Sequence, residues 1–520
     1  MITGSGSTQS LWMKTAAIAH RSVLKEDMRA DVCIIGAGIA GLTVAYMLTR
    51  EGKRVIVLDD GTVADGESAR TTAHLSCAID DRFFEIERVH GADGSRLAAG
   101  SHASAIDAIE SICRRESIDC DFERLDGYLF CQGGQVADIL DRELDAAHRA
   151  GLTDVQRLQR APLGFDTGPC LRFPRQGQFH VLKYLAGLTQ AIIRDGGMIF
   201  TQAHVSKIDV AKPARVTTDH GPAVTCDSLV VATNSPINDM AKIHTKQAAY
   251  RTYVIGAKVP AMSVPRGLYW DTAEPYHYVR LQRVAAADGG QGDDILIVGG
   301  EDHKTGQADD AEARFACLEA WMLERFPSAA PVGFRWSGQV METADGLGFI
   351  GRNPGDENVF VATGDSGMGM THGTIAGMLI SDLVMGRPNA WEKLYDPSRK
   401  PMHSIGQYLK ENLNVVAQLA DYIRPSEVSD ASQIPLGSGA VMREGVKRVA
   451  VYRDQDGQVH KCSASCTHLG CVVQWNSLEK SWDCPCHGSR FDAYGKVLAG
   501  PAYKALSPVA QEVHSQSGRK

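Results

Sequence analysis

Two short apolar runs near the start of the chain frame a stretch with helical spacing. The first run, 31–36 (DVCIIG), ends in glycine, and the second, 55–58, is apolar throughout. Between them, apolar residues recur at helical spacing from Ile39 to Leu48. This pattern predicts a β-α-β unit.

Similar strand patterns return far downstream in two groups. The runs 228–232 (SLVVA) and 359–362 (VFVA) are typical of buried strands, whereas 250–259 and 296–298 fit the strands of a separate sheet. The early and late strands are far apart in sequence. We therefore predict a nucleotide-binding domain assembled from several segments, with a second, sheet-bearing domain inserted between them.

The C-terminal part changes character twice. From about 390 to 425 it turns polar and then helical, which predicts a connecting helix, and from about 437 to 503 it shows short β-runs between Gly and Asp turns. The predicted fold class is α/β: a Rossmann-like domain with an inserted α+β substrate domain, followed by a small all-β domain. The predicted boundaries are an N-terminal segment 1–30, an oxidoreductase unit 31–400 (nucleotide-binding segments about 31–80, 180–240 and 340–390, substrate-domain segments about 81–180 and 240–340), a linker helix 401–430 and an all-β domain 431–512.

Composition narrows the classes of function. The 520 residues allow at least two domains, and 44% hydrophobic with 22% charged residues is close to the average for globular proteins. A net charge of −8 without a concentrated basic face argues against nucleic acid as a partner. No apolar run approaches the ~18 residues of a membrane span, and the first 30 residues lack the pattern of a secretory signal. We expect a cytoplasmic protein without a transmembrane segment.

Three glycines, Gly36, Gly38 and Gly41, form G-x-G-x-x-G at the predicted strand-to-helix junction. The first permits a tight turn, the second lets the backbone approach a pyrophosphate, and the third allows close helix packing. The helix N-terminus supplies N–H groups to the phosphates. Asp59 follows at the end of the second strand, where a ribose hydroxyl needs an acceptor. This context disfavours the alternative, a glycine-rich turn that binds no nucleotide.

A second glycine-rich turn favours FAD over NAD. In the stretch 362–383, a strand ends and the turn opens another apolar helix, whose N-terminus can stabilise the negative charge of a reduced flavin. From about residue 30 to 400 the chain resembles the D-amino-acid-oxidase-like family of FAD-dependent oxidoreductases. The resemblance implies that the early glycines hold the pyrophosphate, Asp59 the adenosine ribose and the backbone at Val205 the adenine. It also implies a segment beside the flavin that includes Gly364, Asp365, Gly369, Met370 and Thr371.

The loop 66–74 (GESARTTAH) matches a polar loop that passes near the pyrophosphate and the flavin ring in this family. Arg70, Thr71 and Thr72 are the expected contacts. His74 lies near the position at which some amine dehydrogenases of the family link a histidine to the flavin, so a covalent link and an ordinary loop histidine are both open. No second G-x-G-x-x-G occurs at a strand-helix junction. This indicates that electrons reach the flavin from an organic substrate rather than from NAD(P)H.

Cysteine and histidine residues near the C-terminus form a pattern of their own. Cys466 and His468 give C-x-H, and Cys484 and His487 give C-x-x-H after fifteen intervening residues. Two thiolates on one iron and two imidazoles on the other make a Rieske [2Fe–2S] centre. A zinc site usually places its two cysteines together and its two histidines together, so zinc is the weaker alternative.

The extended motifs CTHLGC and CPCHGS resemble the Rieske domain of cytochrome bc complexes. The resemblance implies a disulfide between Cys471 and Cys486, and a hydroxyl of Ser489 that donates to a cluster sulfide. Where that family commonly has a tyrosine donor, this chain has Phe491. We therefore expect a reduction potential below that of respiratory Rieske proteins, within the span of about −150 to +300 mV.

The substrate side is less defined. His277, His303 and Arg335 lie among aromatic residues in the predicted insert and are candidates for a cavity over the flavin, although they fit surface and sheet packing equally well. With both resemblances in one chain, the protein is similar to a group of bacterial Rieske flavoproteins.

We therefore predict an FAD-dependent dehydrogenase that oxidises a small organic substrate, an amine or amino acid, and passes electrons through the cluster to an external acceptor, a protein or a quinone. The alternative is a flavin and iron–sulfur electron-transfer component that serves a partner enzyme. A Rieske oxygenase would need a mononuclear iron domain with two histidines and a carboxylate, for which the 33 residues after His487 leave no room.

Overall fold

The computed structural model describes residues 4–131, 137–237, 243–284, 292–400 and 428–509. Within these ranges the α-helices are α1 Leu11–Thr15, α2 Ile39–Arg50, α3 Phe83–Glu116, α4 Ala137–Arg149, α5 Val181–Arg194, α6 Ala311–Arg325, α7 Gly369–Val384 and α8 Glu392–Tyr395. The strands are β1 Met28–Ile35, β2 Val55–Leu58, β3 His74–Leu75, β4 Glu123–Phe130, β5 Gln156–Leu158, β6 Cys170–Gln178, β7 Met198–Phe200, β8 Val205–Asp209, β9 Ala214–Thr218, β10 Ala223–Val231, β11 Gln247–Val259, β12 Leu268–Asp271, β13 His277–Arg283, β14 Asp294–Lys304, β15 Val332–Thr343, β16 Phe349–Arg352, β17 Val359–Thr363, β18 Ser438–Glu444, β19 Lys447–Arg453, β20 Val459–Ser463, β21 Gln474–Asn476, β22 Ser481–Asp483, β23 Arg490–Asp492 and β24 Val497–Ala499.

The first sheet has the order β16-β17-β10-β1-β2-β7, with β8 and β9 attached as a hairpin to β10. Its central strands are parallel, and both faces are covered. Val32 and Ile34 pack in the core that contains α2, α5 and α7, while Cys33 and Ile35 pack on the opposite face with the hairpin. Because both faces of these strands are buried, their sequences are continuous apolar runs.

The second sheet has the order β15-β11-β14-β13-β12-β4-β6-β3, with β5 beside β6. Its strands are antiparallel except for the pair β4 and β12. Helix α6 covers one face, where Phe315, Leu318 and Met322 pack against alternate residues of β11 and β14. This sheet is the predicted insert, and its strands come from between β2 and β7 and from between β10 and β16.

The C-terminal domain consists of two small sheets, β18-β19-β20 and β21-β22-β23-β24. Trp482 and Phe491 are fully buried in its core. The loops after β20 and after β22 carry the Cys and His motifs. The fold class predicted from the sequence is thus confirmed, whereas the linker helix at 401–430 falls almost wholly on residues outside the described ranges. No helix in the described part of the chain is both long and apolar enough to cross a membrane.

Candidate functional site

The glycine loop between β1 and α2 allows close backbone contacts that other residues would block. Gly36 has a φ of +104°, and a Cβ there would lie 2.3 Å from the carbonyl oxygen of Ala232. A Cβ on Gly41 would lie 1.9 Å from the carbonyl oxygen of Gly36. Gly38 is the N-cap of α2 and offers no side chain there. The N-cap of α2 therefore carries no side chain where it borders a cavity, as the close approach of a pyrophosphate requires.

Asp59 lies at the end of β2, on the wall of the same cavity. Its carboxylate accepts hydrogen bonds from the backbone N–H of Ala37 (2.6 Å) and Gly61 (2.9 Å). Burial and the neighbouring Asp60 raise the pKa of Asp59 to about 7. Val205 lines this part of the cavity too, which we call the nucleotide end.

A side chain that the sequence analysis missed completes the start of α2. Ser68 accepts a hydrogen bond at Oγ from the backbone N–H of Ile39 (3.0 Å), so it acts as a cap from a different loop. Its position in the predicted polar loop 66–74 was visible, but its pairing with the helix was not.

The turn between β17 and α7 forms the opposite part of the cavity wall, which we call the ring end. Gly364 has a φ of +71°, and a Cβ on Gly369 would lie 2.6 Å from Oδ2 of Asp365. Burial raises the pKa of Asp365 to about 7. Met370 also lines the cavity, whereas the Thr371 hydroxyl is hydrogen-bonded to the His102 ring (2.8 Å) and its residue is not part of the wall.

The loop 66–74 runs along the cavity between the two ends, and Arg70, Thr71, Thr72 and His74 all line it. Hydroxyl Oγ1 of Thr71 accepts from the N–H of Ala73 (3.0 Å), and Oγ1 of Thr72 is 2.9 Å from Nδ1 of His74. Nε2 of His74 is buried without a hydrogen-bond partner. Burial, with a smaller contribution from Arg280, lowers the pKa of His74 to about 3, so the ring is neutral.

The guanidinium group of Arg70 contacts other parts of the chain besides the cavity. Nη2 donates to the carbonyl oxygen of Gly6 (3.0 Å), and Nη1 donates to that of Ser337 (3.1 Å) and lies 3.4 Å from Glu479 of the C-terminal domain. The side chain is 1% exposed. Arg70 therefore joins three parts of the chain. Because its guanidinium group is engaged there, only its backbone is left for the expected contact with the cofactor.

Residues that the sequence analysis did not name individually line the ring end opposite the β17–α7 turn. Apart from Thr252, they are acidic or aromatic: Asp80, Thr252, Tyr276, Tyr278, Asp302 and Glu342. Two of them flank a predicted candidate, since His277 lies between Tyr276 and Tyr278. Side chains alternate between the faces of a strand, so the neighbours of the candidate reach the cavity and the candidate does not.

The three candidate catalytic residues lie outside the cavity wall. His277 is hydrogen-bonded through Nδ1 to Asp271 (3.0 Å), and His303 through Nε2 to the hydroxyl of Tyr253 (2.9 Å). Arg335 forms surface ion pairs with two glutamates of α6. Their polar groups are thus engaged in packing of the second sheet, and the structure does not bring them to the ring end.

The two Cys–His motifs meet at the edge of the C-terminal domain. The thiols of Cys466 and Cys484 are within hydrogen-bonding contact, and the ring centroids of His468 and His487 are 4.9 Å apart. All four residues are buried, and Nδ1 of His487 has no hydrogen-bond partner. Two thiols and two imidazoles on facing loops fit a [2Fe–2S] cluster with mixed ligands.

The loops that carry these motifs are tied together. Cys471 and Cys486 form a disulfide, as predicted. Ser489 lies beside the Cys466 thiol, and its Oγ also accepts from the backbone N–H of Ala502 (3.0 Å). These links hold the two loops at a fixed separation, as a bridging cluster needs.

Comparison with known proteins identifies both parts of the chain. Residues 31–383 match the family described as FAD dependent oxidoreductase. The chain belongs to this FAD-dependent oxidoreductase family. Residues 425–511 match the Rieske [2Fe-2S] domain. The protein is therefore an oxidoreductase with two cofactors, FAD and a Rieske [2Fe–2S] cluster.

Two relatives and one solved structure are similar to this chain over most of its length. YhfW of Bacillus subtilis (strain 168), which carries the name of a Rieske 2Fe-2S iron-sulfur protein, is 30% identical over 96% of this chain and 97% of its own. Gamma-glutamylputrescine oxidoreductase of Escherichia coli (strain K12) is 26% identical over 70% of this chain and 85% of its own. Glycine oxidase from Geobacillus kaustophilus has a similar fold, with a TM-score of 0.58 at 19% identity over 72% of this chain and 99% of its own.

The cluster edge of the Rieske domain packs against the FAD-dependent oxidoreductase domain. The ring of His244, in the 3₁₀ helix His244–Lys246, lies 4.9 Å from that of His468 and 6.4 Å from that of His487. A Cβ on Gly488 would lie 2.3 Å from Cβ of Ala249, so the second cluster loop rests directly on β11. The histidine edge of the cluster site is therefore covered by the same chain.

The Rieske domain also forms part of the FAD cavity. The segment 497–503 lines the nucleotide end beside Thr233 and Asn234. His204 donates through Nε2 to the carbonyl oxygen of Tyr503 (2.9 Å) across this contact. The nucleotide end is therefore closed by residues of both domains.

Buried ion pairs join the two domains. Glu479 lies 3.4 Å from Arg70 and 3.7 Å from Arg251, and it accepts a hydrogen bond from the Ser337 hydroxyl (2.5 Å). Burial alone would raise the pKa of Glu479, but the arginines lower it to about 2. Because each charge has an opposite partner, the network can remain ionised inside the interface.

Proposed function

We propose that this protein is a dehydrogenase that oxidises a small amine or amino acid and passes the electrons through its own cluster to an external acceptor, a protein or a quinone. When bound, FAD supplies a two-electron acceptor for the C–H bond beside the nitrogen, and the cluster supplies a one-electron carrier. The residues of the chain bind, orient and enclose these groups. A cytoplasmic location stays a prediction.

The observation that carries the proposal is the position of Gln339. This residue lines the ring end of the cavity, and its Nε2 donates to the carbonyl oxygen of Gly488 (3.1 Å). Gly488 follows His487 directly. One side chain therefore contacts both the cavity and the second cluster loop, which supports electron transfer within a single chain and without a large domain movement.

Each group of residues then has a role in holding one cofactor. For FAD we propose the pyrophosphate, ribose, adenine and ring contacts Gly36, Gly38, Gly41, Asp59, Val205, Thr71, Thr72, Gly364, Asp365, Gly369 and Met370. For the cluster we propose the ligands Cys466, His468, Cys484 and His487. Thr371 would act by fixing the first turn of α7 against α3, and Arg70 by fixing the loop 66–74 against the Rieske domain.

An ordinary loop histidine is the expected role of His74, and a covalent flavin link is the alternative. The neutral ring and the unpartnered Nε2 on the cavity wall support the alternative. Acid precipitation of the holoenzyme tests it. Yellow colour that stays with the pellet supports the link, and colour that moves entirely to the supernatant excludes it.

An anaerobic titration tests the proposed function. The purified holoenzyme is mixed with a panel of amines and amino acids, flavin absorbance reports flavin reduction, and EPR reports the reduced cluster. Bleaching by one compound together with a Rieske signal is the expected result. If only dithionite or a protein donor reduces the enzyme, the chain is instead an electron-transfer component for a partner.

A cluster variant separates internal electron transfer from flavin chemistry. We expect Cys484→Ser to lose the cluster signal and to keep flavin bleaching by the substrate. The exposed Cys317 offers a matched control, because Cys317→Ser leaves both signals in place. A cluster signal that persists in Cys484→Ser contradicts the proposed ligand set.

A further inference from the structure

Three carboxylates meet at the ring end of the cavity from three separate parts of the chain. Asp80 follows β3, Asp302 lies in β14 and Glu342 lies in β15, and all three line the cavity wall. The strand order of the second sheet brings these segments together. This concentration of negative charge is not needed to bind the flavin, which already carries two phosphates.

Two tyrosines line the cavity wall together with these acids. The Tyr276 hydroxyl donates to Oδ2 of Asp80 (3.5 Å). Burial raises the pKa of Tyr276, and the charges of Asp80 and Asp302 add to this effect. The Tyr278 hydroxyl is hydrogen-bonded to Thr252 (2.8 Å). Oδ1 of Asp302 is sealed from solvent without a hydrogen-bond partner. This group of residues therefore has an unsatisfied acceptor beside a cavity.

Positive charge is scarce at this end. Among the described residues of the cavity wall, Arg70 is the one lysine or arginine, and its guanidinium group is paired with Glu479. His74 is neutral. A substrate carboxylate at the ring end would thus face three acids without a cation to bind it, whereas an ammonium group would meet both carboxylates and aromatic faces.

Aromatic rings line this part of the cavity. The ring centroids of Tyr276 and Tyr278 are 5.6 Å apart at 34°, and His74 meets Tyr278 edge-on at 5.8 Å. Trp270 lines the cavity as well. Such faces pack well against methylene groups and attract cations.

We propose, resting on the proposed function, that the substrate is an organic dication of the aliphatic diamine or polyamine class. One amino group is oxidised at the flavin, and the distal ammonium group is held by the cluster of Asp80, Asp302 and Glu342.

In this reaction the C–H bond beside the reacting nitrogen breaks, and its hydrogen leaves with the electron pair as hydride to the flavin. The amine becomes an iminium ion, which water converts to an aldehyde and ammonium. The two electrons then leave singly through the cluster to two equivalents of a one-electron acceptor, for which ferricyanide serves in an assay, and the remaining proton is released to water.

Three compounds of equal chain length test the proposal on the full-length holoenzyme. Putrescine carries a distal ammonium group, n-butylamine a methyl group and 4-aminobutyrate a carboxylate. Anaerobic flavin reduction and the thermal shift of the holoenzyme are measured for each. We expect half-saturation by putrescine at a concentration at least tenfold below that of n-butylamine, and 4-aminobutyrate to be the weakest.

Other outcomes separate the two proposals. If 4-aminobutyrate or glycine is the best reductant, the dehydrogenase stands and the dication is overturned. If none of the compounds reduces the flavin and none shifts the unfolding temperature, while dithionite gives both cofactor signals, both proposals fail.

Variants locate the effect. We expect Asp302→Asn to lower the preference for putrescine over n-butylamine at least fivefold in the thermal-shift titration, and Glu342→Gln to do so independently if the first variant does not fold. Asp138 is exposed on α4, and Asp138→Asn is the matched control that keeps the preference. An unchanged preference in both cavity variants overturns the assignment of the cluster.

Discussion

The two ends of the cavity are built in different ways. At the nucleotide end the backbone forms the site: Gly36 and Gly41 leave no space for a Cβ, and α2 begins after Gly38, which has no side chain. At the ring end, side chains such as Asp80 and Asp302 form it, and they come from remote segments. A site formed by the backbone requires one local sequence pattern. A site formed by side chains can change its chemistry through substitutions that leave the fold unchanged. The nucleotide end can therefore be predicted from a local pattern, whereas the ring end depends on which remote segments the fold brings together.

The largest effect is expected from filling the glycine loop. Gly41→Ala would place a Cβ 1.9 Å from the carbonyl oxygen of Gly36, so the loop must shift away from the pyrophosphate position. We expect FAD content to fall at least tenfold, measured by flavin absorbance per protein. Gly100 is a matched control, because it is also helical and has open space around it. Gly100→Ala should keep its FAD, and equal loss in both variants contradicts the backbone description.

The second prediction concerns the Rieske wall of the nucleotide end. Glu479→Gln removes the carboxylate that pairs with Arg70 and leaves Arg251 with Asp483 alone. Because the guanidinium group of Arg70 is then buried without an opposite charge, we expect a cost of about 3–5 kcal/mol of unfolding free energy. We expect a lower urea midpoint and faster release of FAD. Glu312→Gln removes a surface pair with Arg335 whose glutamate is 81% exposed, and it should change stability by about 0.5 kcal/mol or less.

The same ion network predicts a pH dependence. The pKa of Glu479 is about 2 in the folded protein, below the model-compound value of 4.5. The stabilisation is therefore present above about pH 4.5 and is lost as the pH falls toward 2. The stability difference between the native protein and Glu479→Gln should shrink over that window. A difference that grows on acidification argues that Glu479 is protonated in the interface.

These sites differ in how far the sequence could predict them. The glycine loop and the Cys–His motifs are local patterns, in which spacing alone determines the geometry. The pairing of Arg70 with Glu479 spans 409 residues, and no local pattern encodes it. His277 shows a third case: it was placed in the predicted insert, but the direction of its side chain was not predicted, so the chosen residue lies one position from the tyrosines that line the cavity.

The ring end should make the binding of a diamine depend on pH. Burial raises the pKa of Asp302 to about 7; Asp80 and Glu274 add to this, while Thr252 and Arg314 oppose it. The carboxylate is therefore charged above about pH 7, and a diamine keeps its distal charge there because amines titrate near 10. We expect putrescine affinity to rise several-fold between pH 6 and 8. Asp302→Asn should flatten this rise, and n-butylamine should show none.

The smallest expected effect concerns the reduction potential of the cluster, whose site also combines backbone and side-chain contacts. The loops are held by the disulfide and by backbone contacts, so one side-chain change should tune the potential without loss of the cluster. Phe491 is fully buried in β23, where the related cytochrome bc domains commonly have a tyrosine donor. A hydroxyl there would add one hydrogen bond of about 1 kcal/mol to the reduced state, or roughly 40 mV for one electron. We expect Phe491→Tyr to raise the midpoint potential by about that amount in an EPR-monitored redox titration. A native potential already at or above that of respiratory Rieske proteins would contradict the role given to Phe491, because the missing donor would then have no consequence.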